Sequence, residues 1–120
     1  MNTIAGTPYY MAPEVLDGSS YTEKVDMWSV GVLLYVFMCG YLPFQANKRT
    51  DIFTKIAKAR YTFNHPEFEE CSEDVKDLIM KLLYVDPNIR LSASEALNHS
   101  WFKVKSDQGK AFDPEVLNRL

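Results

Sequence analysis

Apolar residues run almost without interruption from Met27 to Cys39, whereas in the flanking segments they recur only every three or four positions. The dense run predicts a central helix over residues 23–39, with Thr22 as N-cap and with Glu23 and Asp26 in the first turn, where the helix dipole favours negative charge. A helix apolar around its circumference is buried on all sides or spans a membrane. The uninterrupted stretch from Val30 to Cys39 falls well short of the roughly 20 residues that a bilayer requires, so burial is the expectation. Gly40 ends the helix and Pro43 blocks its resumption.

The remaining helical patterns are amphipathic. Over residues 49–59, Ile52, Phe53, Ile56 and Ala57 make one apolar face. Residues 73–85 follow Ser72 as N-cap and carry Val75, Leu78, Ile79, Leu82 and Leu83 as a stripe. Asp86-Pro87-Asn88 breaks the chain, and Ser92-Ala93-Ser94-Glu95 has capping-box spacing for a short helix reaching about Asn98. His99-Ser100-Trp101-Phe102 closes it. A polar connector follows, and Asp113-Pro114-Glu115 opens a last helix with Val116, Leu117 and Leu120 along one edge. The first seventeen residues, with two prolines, one glycine and two threonines before Glu14, read as loop. No alternating strand pattern exceeds Tyr61-Thr62-Phe63, so the expected fold is all-α.

Composition narrows the function. With 120 residues, 47% of them hydrophobic, the chain suffices for one core and is too short for two domains. Sixteen acidic against thirteen basic residues, the latter scattered, leave no nucleic-acid stripe. Cys39 and Cys71 lack metal or disulfide spacing and read as reduced thiols, which points to the cytoplasm, with the nucleus as the alternative. The N-terminus has neither the basic nor the apolar region of a secretory signal and reads as though cut from something longer. His65 and His99 have no partner at ligand spacing, so packing or capping is expected of them and no metal site. Trp28 and Trp101 are expected in the core.

The chemistry-bearing stretch is Gly6-Thr7-Pro8-Tyr9-Tyr10-Met11-Ala12-Pro13-Glu14, followed by Asp26-Met27-Trp28-Ser29-Val30-Gly31, Gly40-Tyr41-Leu42-Pro43-Phe44, Asp86-Pro87-Asn88-Ile89-Arg90 and His99-Ser100-Trp101-Phe102. In this order and spacing the motifs resemble the C-terminal part of a eukaryotic serine/threonine protein kinase domain, from the A-P-E motif at the end of the activation segment to the last helix of the C-lobe. The resemblance implies a helical C-lobe fragment with an irregular N-terminal activation segment. It implies a partial kinase domain over residues 1–102, then a connector and the start of a regulatory or autoinhibitory helix over 103–120. The wording from Tyr21 to Phe102, with CGYLPF, EALNHSWF and AFDPEVLNRL, is most similar to the calcium/calmodulin-regulated group and to calcium-dependent kinases of plants and protists. That similarity implies a calcium-sensing regulatory domain in the parent, although no EF-hand loop occurs in these residues.

Carried onto this sequence, the family pattern makes Thr3 the candidate activation-loop phosphosite, where a phosphate would add about −2 charge; otherwise Thr3 is a solvated loop threonine. Thr7 corresponds to the threonine facing the catalytic aspartate and lysine, or else caps a turn. Ile4, Pro8 and Met11 match the pocket for the substrate residue after the phosphoacceptor, or else are loop packing. Tyr9 and Val36 stand where basophilic relatives place glutamates, which weakens any multi-arginine substrate motif. Glu14 and Arg90 match the family's structural ion pair, a role that suits the bidentate arginine fork. Asp26 matches the residue that anchors the catalytic-loop backbone, or is simply an acid at a helix N-terminus.

The Gly-rich loop, strand lysine, H-R-D and D-F-G motifs are not among these residues. ATP and Mg2+ are therefore expected as cofactors of the parent kinase and not of the fragment, whose catalytic residues in this chain are none. Its implied partners are protein or peptide substrates and the remainder of the kinase domain, with neither nucleic acid nor membrane. An apolar surface left by the missing part predicts self-association. The competing readings are a non-catalytic peptide- or kinase-binding module and a structural oligomer.

Overall fold

The computed structural model describes residues 9–19 and 22–103. The expected regulatory helix over 113–120 lies outside the described residues. In chain order the elements are α1 (Pro13–Leu16), α2 (Lys24–Cys39), α3 (Arg49–Ala57), a 3-10 turn (Pro66–Glu70), α4 (Glu73–Leu82), α5 (Ala93–Leu97) and a closing 3-10 turn (Ser100–Lys103). No strand occurs among the described residues, in keeping with the all-α expectation.

α2 is the axis. Trp28, Val32, Tyr35, Val36 and Cys39 bury one side of it in a core shared with Phe44, Ile52, Ile56, Phe68, Val75 and Ile79. The expectation of burial on all sides is corrected: Val30, Leu33 and Phe37 are 43%, 43% and 55% exposed. Their spacing puts them on one face with Asp26, which is also exposed. An apolar run therefore marks two faces here, one packed in this chain and one at its surface. The helix starts at Lys24, and Thr22 still acts locally, its Oγ1 accepting the Lys24 amide at 3.2 Å. Gly40 ends it in the left-handed region at φ 87°, its amide bonding the Val36 carbonyl at 2.7 Å. Neither Cys39 nor Cys71 forms a disulfide, and both are buried.

α4 lies across α2 and behaves as its stripe predicts. Val75, Leu78, Ile79 and Leu82 are buried, and the Ser72 hydroxyl caps the N-terminus by accepting the Val75 amide. It stops at Leu82 and not Val85, which frees the carbonyls of Tyr84 and Val85 for the Arg90 guanidinium. The capping box of α5 is complete: Ser92 Oγ accepts from the Glu95 amide, and the Glu95 carboxylate accepts from the Ser92 amide at 2.8 Å. The closing turn is tied back to α4. His99 Nδ1 accepts the Trp101 amide at 3.0 Å, so its Nε2–H donates to Asp77 at 2.7 Å. Ser100 bonds Asp74 in the same region at 2.9 Å. Trp28 is fully buried and Trp101 half-buried, packed on the core.

Two departures concern α1 and α3. Residues 13–16, expected as loop, form a single helical turn because Pro13 sits at N1, where its missing N–H costs nothing. α3 ends two residues early. The Arg60 amide bonds the Lys55 carbonyl at 2.8 Å and the Ala59 amide bonds the Ile56 carbonyl at 3.1 Å, the two bonds of a Schellman turn. Ala59 occupies the left-handed position at φ 49°, where a Cβ is strained by about 1–2 kcal/mol. Ala59→Gly is accordingly expected to raise stability by about 1 kcal/mol, read from urea unfolding midpoints at unchanged slope. A lower midpoint would mean that the turn is not left-handed at this residue. Of the expected α3 face, Ile52 and Ile56 are buried, whereas Phe53 and Ala57 are exposed and edge a shallow groove with Pro13, Leu16 and Val85.

Candidate functional site

Two sequence-distant segments meet under α1. Pro13 directs the chain into the turn, and Ala12 and Glu14 are buried by it. The Glu14 carboxylate receives Arg90 in a two-pronged pair, Nη1 to Oε2 at 2.8 Å and Nη2 to Oε1 at 2.9 Å, across 76 residues. Arg90 is completely buried. Its remaining hydrogens go to main-chain carbonyls: Nε to Tyr84 at 2.9 Å, Nη1 to Lys24 at 2.8 Å and Nη2 to Val85 at 3.1 Å. Every N–H of the guanidinium is thus used, and the indole of Trp28 lies 5.1 Å from its central carbon. Burial pushes the Glu14 carboxyl up, but the Arg90 hydrogen bonds, a backbone hydrogen bond and the guanidinium charge together outweigh it and hold the group below the usual carboxylate range.

Lys24 completes the junction. A cation in the first turn of a helix opposes the helix dipole, and this one is compensated from outside the helix: Nζ donates to the carbonyls of Pro87 at 2.8 Å and Arg90 at 2.7 Å. The turn carrying Arg90 is itself fixed by Asp86, whose carboxylate accepts the Asn88 amide. Ser29 Oγ donates to the Tyr10 carbonyl at 3.1 Å, pinning residues before α1 to the flank of α2. Lys24 and Ser29 were not singled out in the sequence, although a lysine at a helix N-terminus is itself a signal that a carbonyl or acid must be close.

Of the sequence-derived site residues, Thr3, Ile4, Thr7 and Pro8 lie outside the described residues. Met11 stands at the surface beside Ala12, 39% exposed. Asp26 is exposed in the first turn of α2 and makes no side-chain hydrogen bond among the described residues, at the head of the Val30, Leu33 and Phe37 face. Val36 is buried and Tyr9 packs against the core, so Val36 presents no side chain at the surface. His65 stacks on Tyr41 with ring centroids 4.5 Å apart. Among the described residues no three His, Cys, Asp or Glu side chains converge as a metal site, and no helix is long and apolar enough to cross a membrane.

The protein kinase domain family model matches residues 1–102. The chain belongs to that family. Its kinase relatives include calcium-dependent protein kinase 3 of Plasmodium berghei (strain Anka), 49% identical over 105 residues, covering 88% of this chain and 19% of that protein. Myosin light chain kinase A of Dictyostelium discoideum is 47% identical over 103 residues, 86% of this chain and 35% of that protein. CDPK-related kinase 8 of Arabidopsis thaliana is 43% identical over 121 residues, 100% of this chain and 20% of that protein. The chain therefore spans no more than about a third of the length of these curated relatives. Among solved structures, titin kinase with its flanking domains superposes with a TM-score of 0.82 at 36% identity, over 93% of this chain and 21% of that one. The kinase relationship agrees with the fold: the helices described above are a piece of the kinase C-lobe, and its calcium-dependent relatives match the expected subgroup.

Proposed function

We propose that these residues form the substrate-facing shelf and helical foundation of a serine/threonine protein kinase, whose complete domain transfers the γ-phosphate of ATP to Ser or Thr hydroxyls of proteins. The observation that carries this reading is the buried Glu14–Arg90 clamp, which docks the segment after Gly6-Thr7-Pro8 onto α2 with no guanidinium hydrogen left over. Positioning of a substrate requires a fixed platform, and the clamp, together with the Ser29 bond to the Tyr10 carbonyl, fixes residues 10–14 against the core. In this reading Thr7 faces the catalytic centre, Ile4, Pro8 and Met11 line the pocket for the residue after the phosphoacceptor, and phosphorylation of Thr3 orders the loop. Asp26 holds the catalytic-loop backbone, and the Val30, Leu33 and Phe37 face is covered by the remainder of the kinase domain or, in its absence, by a second copy. Residues 103–120 lead into a regulatory helix, and the names of the calcium-dependent relatives support a calcium-sensing domain in the parent, which in this reading is cytoplasmic or nuclear.

ATP and Mg2+ are the cofactors of that parent. The described residues offer no donor set for a metal ion, and no step of the transfer is assigned to their side chains. The 120 residues alone are expected to give a flat calorimetric titration with Mg-ATP and no radiolabel transfer to any peptide. Saturable micromolar binding with phosphate appearing on a peptide would overturn the reading. Reading frame upstream of Met1 encoding H-R-D and D-F-G supports it at the level of the parent, whereas its replacement by unrelated sequence favours a non-catalytic binding module.

A further inference from the structure

A second surface feature lies away from the clamp, at the C-terminal ends of α2 and α3. An open groove of about 550 Å³ is lined by the stacked pair Tyr41 and His65 with Leu42 and Pro43, and by Lys55, Arg60 and Tyr61. Its shape follows from backbone features already described. The Schellman turn that ends α3 bonds the Arg60 amide to the Lys55 carbonyl, placing both cations at the same end of α3. The chain then runs back past α2, held by the Tyr35 hydroxyl on the Thr62 carbonyl at 2.6 Å. The opposite wall is the nearly parallel stack of His65 on Tyr41, with rings inclined by 7°.

The charges of the groove are of one sign, since no carboxylate lines it in a chain whose net charge is −3. Lys55 spends one hydrogen on the Gln45 carbonyl at 2.6 Å, leaving two N–H groups, and Arg60 is exposed with no side-chain bond among the described residues. The phenols do not oppose an anion either: burial, with Tyr84 adding to it, pushes Tyr61 up to about 12, and burial likewise raises Tyr35. Apolar and aromatic walls beside two available cations match a peptide that carries both kinds of group. A nucleic-acid backbone would ask for a longer run of cations than Lys55 and Arg60 provide.

We propose that this groove is a docking site for an acidic peptide segment of a protein partner, with carboxylates on Lys55 and Arg60 and an apolar side chain between Tyr41, Leu42 and Tyr61. The site goes beyond the proposed kinase function, because it requires neither nucleotide nor catalysis and its test is binding alone.

The experiment is fluorescence anisotropy on the full chain with a labelled short peptide rich in Asp and Glu around a single Leu. Its comparison peptide carries Asn and Gln in place of the acids. The acidic peptide is expected to bind saturably, less tightly as salt rises, and about tenfold more weakly to Arg60→Glu. Arg49→Glu makes the same change in net charge at the exposed opposite end of α3 and is expected to leave binding unchanged. Both substitutions are at exposed positions, and circular dichroism checks that the helices persist. Equal binding of the neutral peptide, equal weakening by Arg49→Glu, or no saturable binding would overturn the proposal. A single-stranded oligonucleotide binding more tightly with the same Arg60 dependence would replace it with a nucleic-acid site. Loss of self-association in Arg60→Glu, without peptide binding by the parent chain, would assign the groove to a second copy.

Discussion

Arg90→Ala is expected to destabilise the fold by about 3–5 kcal/mol, a large fraction of the roughly 5–15 kcal/mol usual for a folded domain. The loss has several parts that act together. Glu14 would remain buried without its partner, and the carbonyls of Tyr84, Val85 and Lys24 would lose their donor in the same place. For this reason the usual rescue, replacing both charges by apolar residues of similar volume, is expected to fail here: Glu14→Met with Arg90→Met still abandons those carbonyls. Arg90→Lys retains the charge but not the fork and should recover only part of the stability. Glu14→Gln, which keeps an acceptor for Arg90, should be the mildest change of the group and remain measurable by urea unfolding if the alanine variant does not fold. A melting curve unmoved by Arg90→Ala would remove the clamp from its place at the centre of the fold.

The same pair has a pH signature. The Glu14 carboxyl titrates below its ordinary value of 4.5 in the folded state, so the pair contributes stability above the unfolded-state value and loses it as pH falls through the lower folded value. Asp77, paired with His99 and Lys81, is lowered as well and contributes in the same direction. The part due to Glu14 is the difference between the parent chain and Glu14→Gln, and that difference is expected to shrink on acidification below about pH 4. A difference that stays constant across that range would mean that Glu14 is not ionised in the folded protein.

Sequence and structure agree where a single local rule decides the outcome. The stripe of α4, its Ser72 cap, the capping box at Ser92 and the stop at Gly40 each rest on a period or a cap and were readable directly. The ends of α3 and α4 were not, because tertiary demands set them: Ala59 accepts a strained conformation to close the Schellman turn, and the chain leaves α4 early so that Tyr84 and Val85 can face Arg90. α2 misled in another way. Hydrophobicity around a helix reports the total area to be covered and says nothing of which chain covers it, so Val30, Leu33 and Phe37 read as core. The approach of Glu14 to Arg90 is invisible to periodicity and came from the resemblance alone. The groove at Lys55 and Arg60 had no motif, since a reversal after a helix made it.

Gly31→Ala is expected to destabilise the chain by about 1–2 kcal/mol, opposite in sign to the ordinary rule for helices. In an exposed helix interior, exchanging Gly for Ala gains about 1 kcal/mol of propensity. At position 31 a Cβ would stand 2.8 Å from Leu82 Cβ and 2.9 Å from Leu83 Cδ2, whereas carbon atoms settle at about 3.5–4.0 Å. Leu83 can swing its side chain, but Leu82 Cβ is fixed to the backbone of α4, so relief requires α2 and α4 to part by several tenths of an ångström. Such overpacking costs typically about 1–3 kcal/mol. The parting would also loosen Val75, Ile79 and Leu82 in the core and disturb the start of the segment that supplies carbonyls to Arg90. Magnitude therefore favours the clash over the propensity gain. Gly18→Ala is the control, since nothing lies within 4 Å of its Cβ and only its φ of 78° opposes the substitution. Its loss should be insensitive to Leu83→Ala, whereas that second change should recover part of the loss in Gly31→Ala by removing the Cδ2 contact. Urea midpoints of the single and double variants measure both couplings, and a Gly31→Ala chain as stable as its parent would place the two helices farther apart than they stand here.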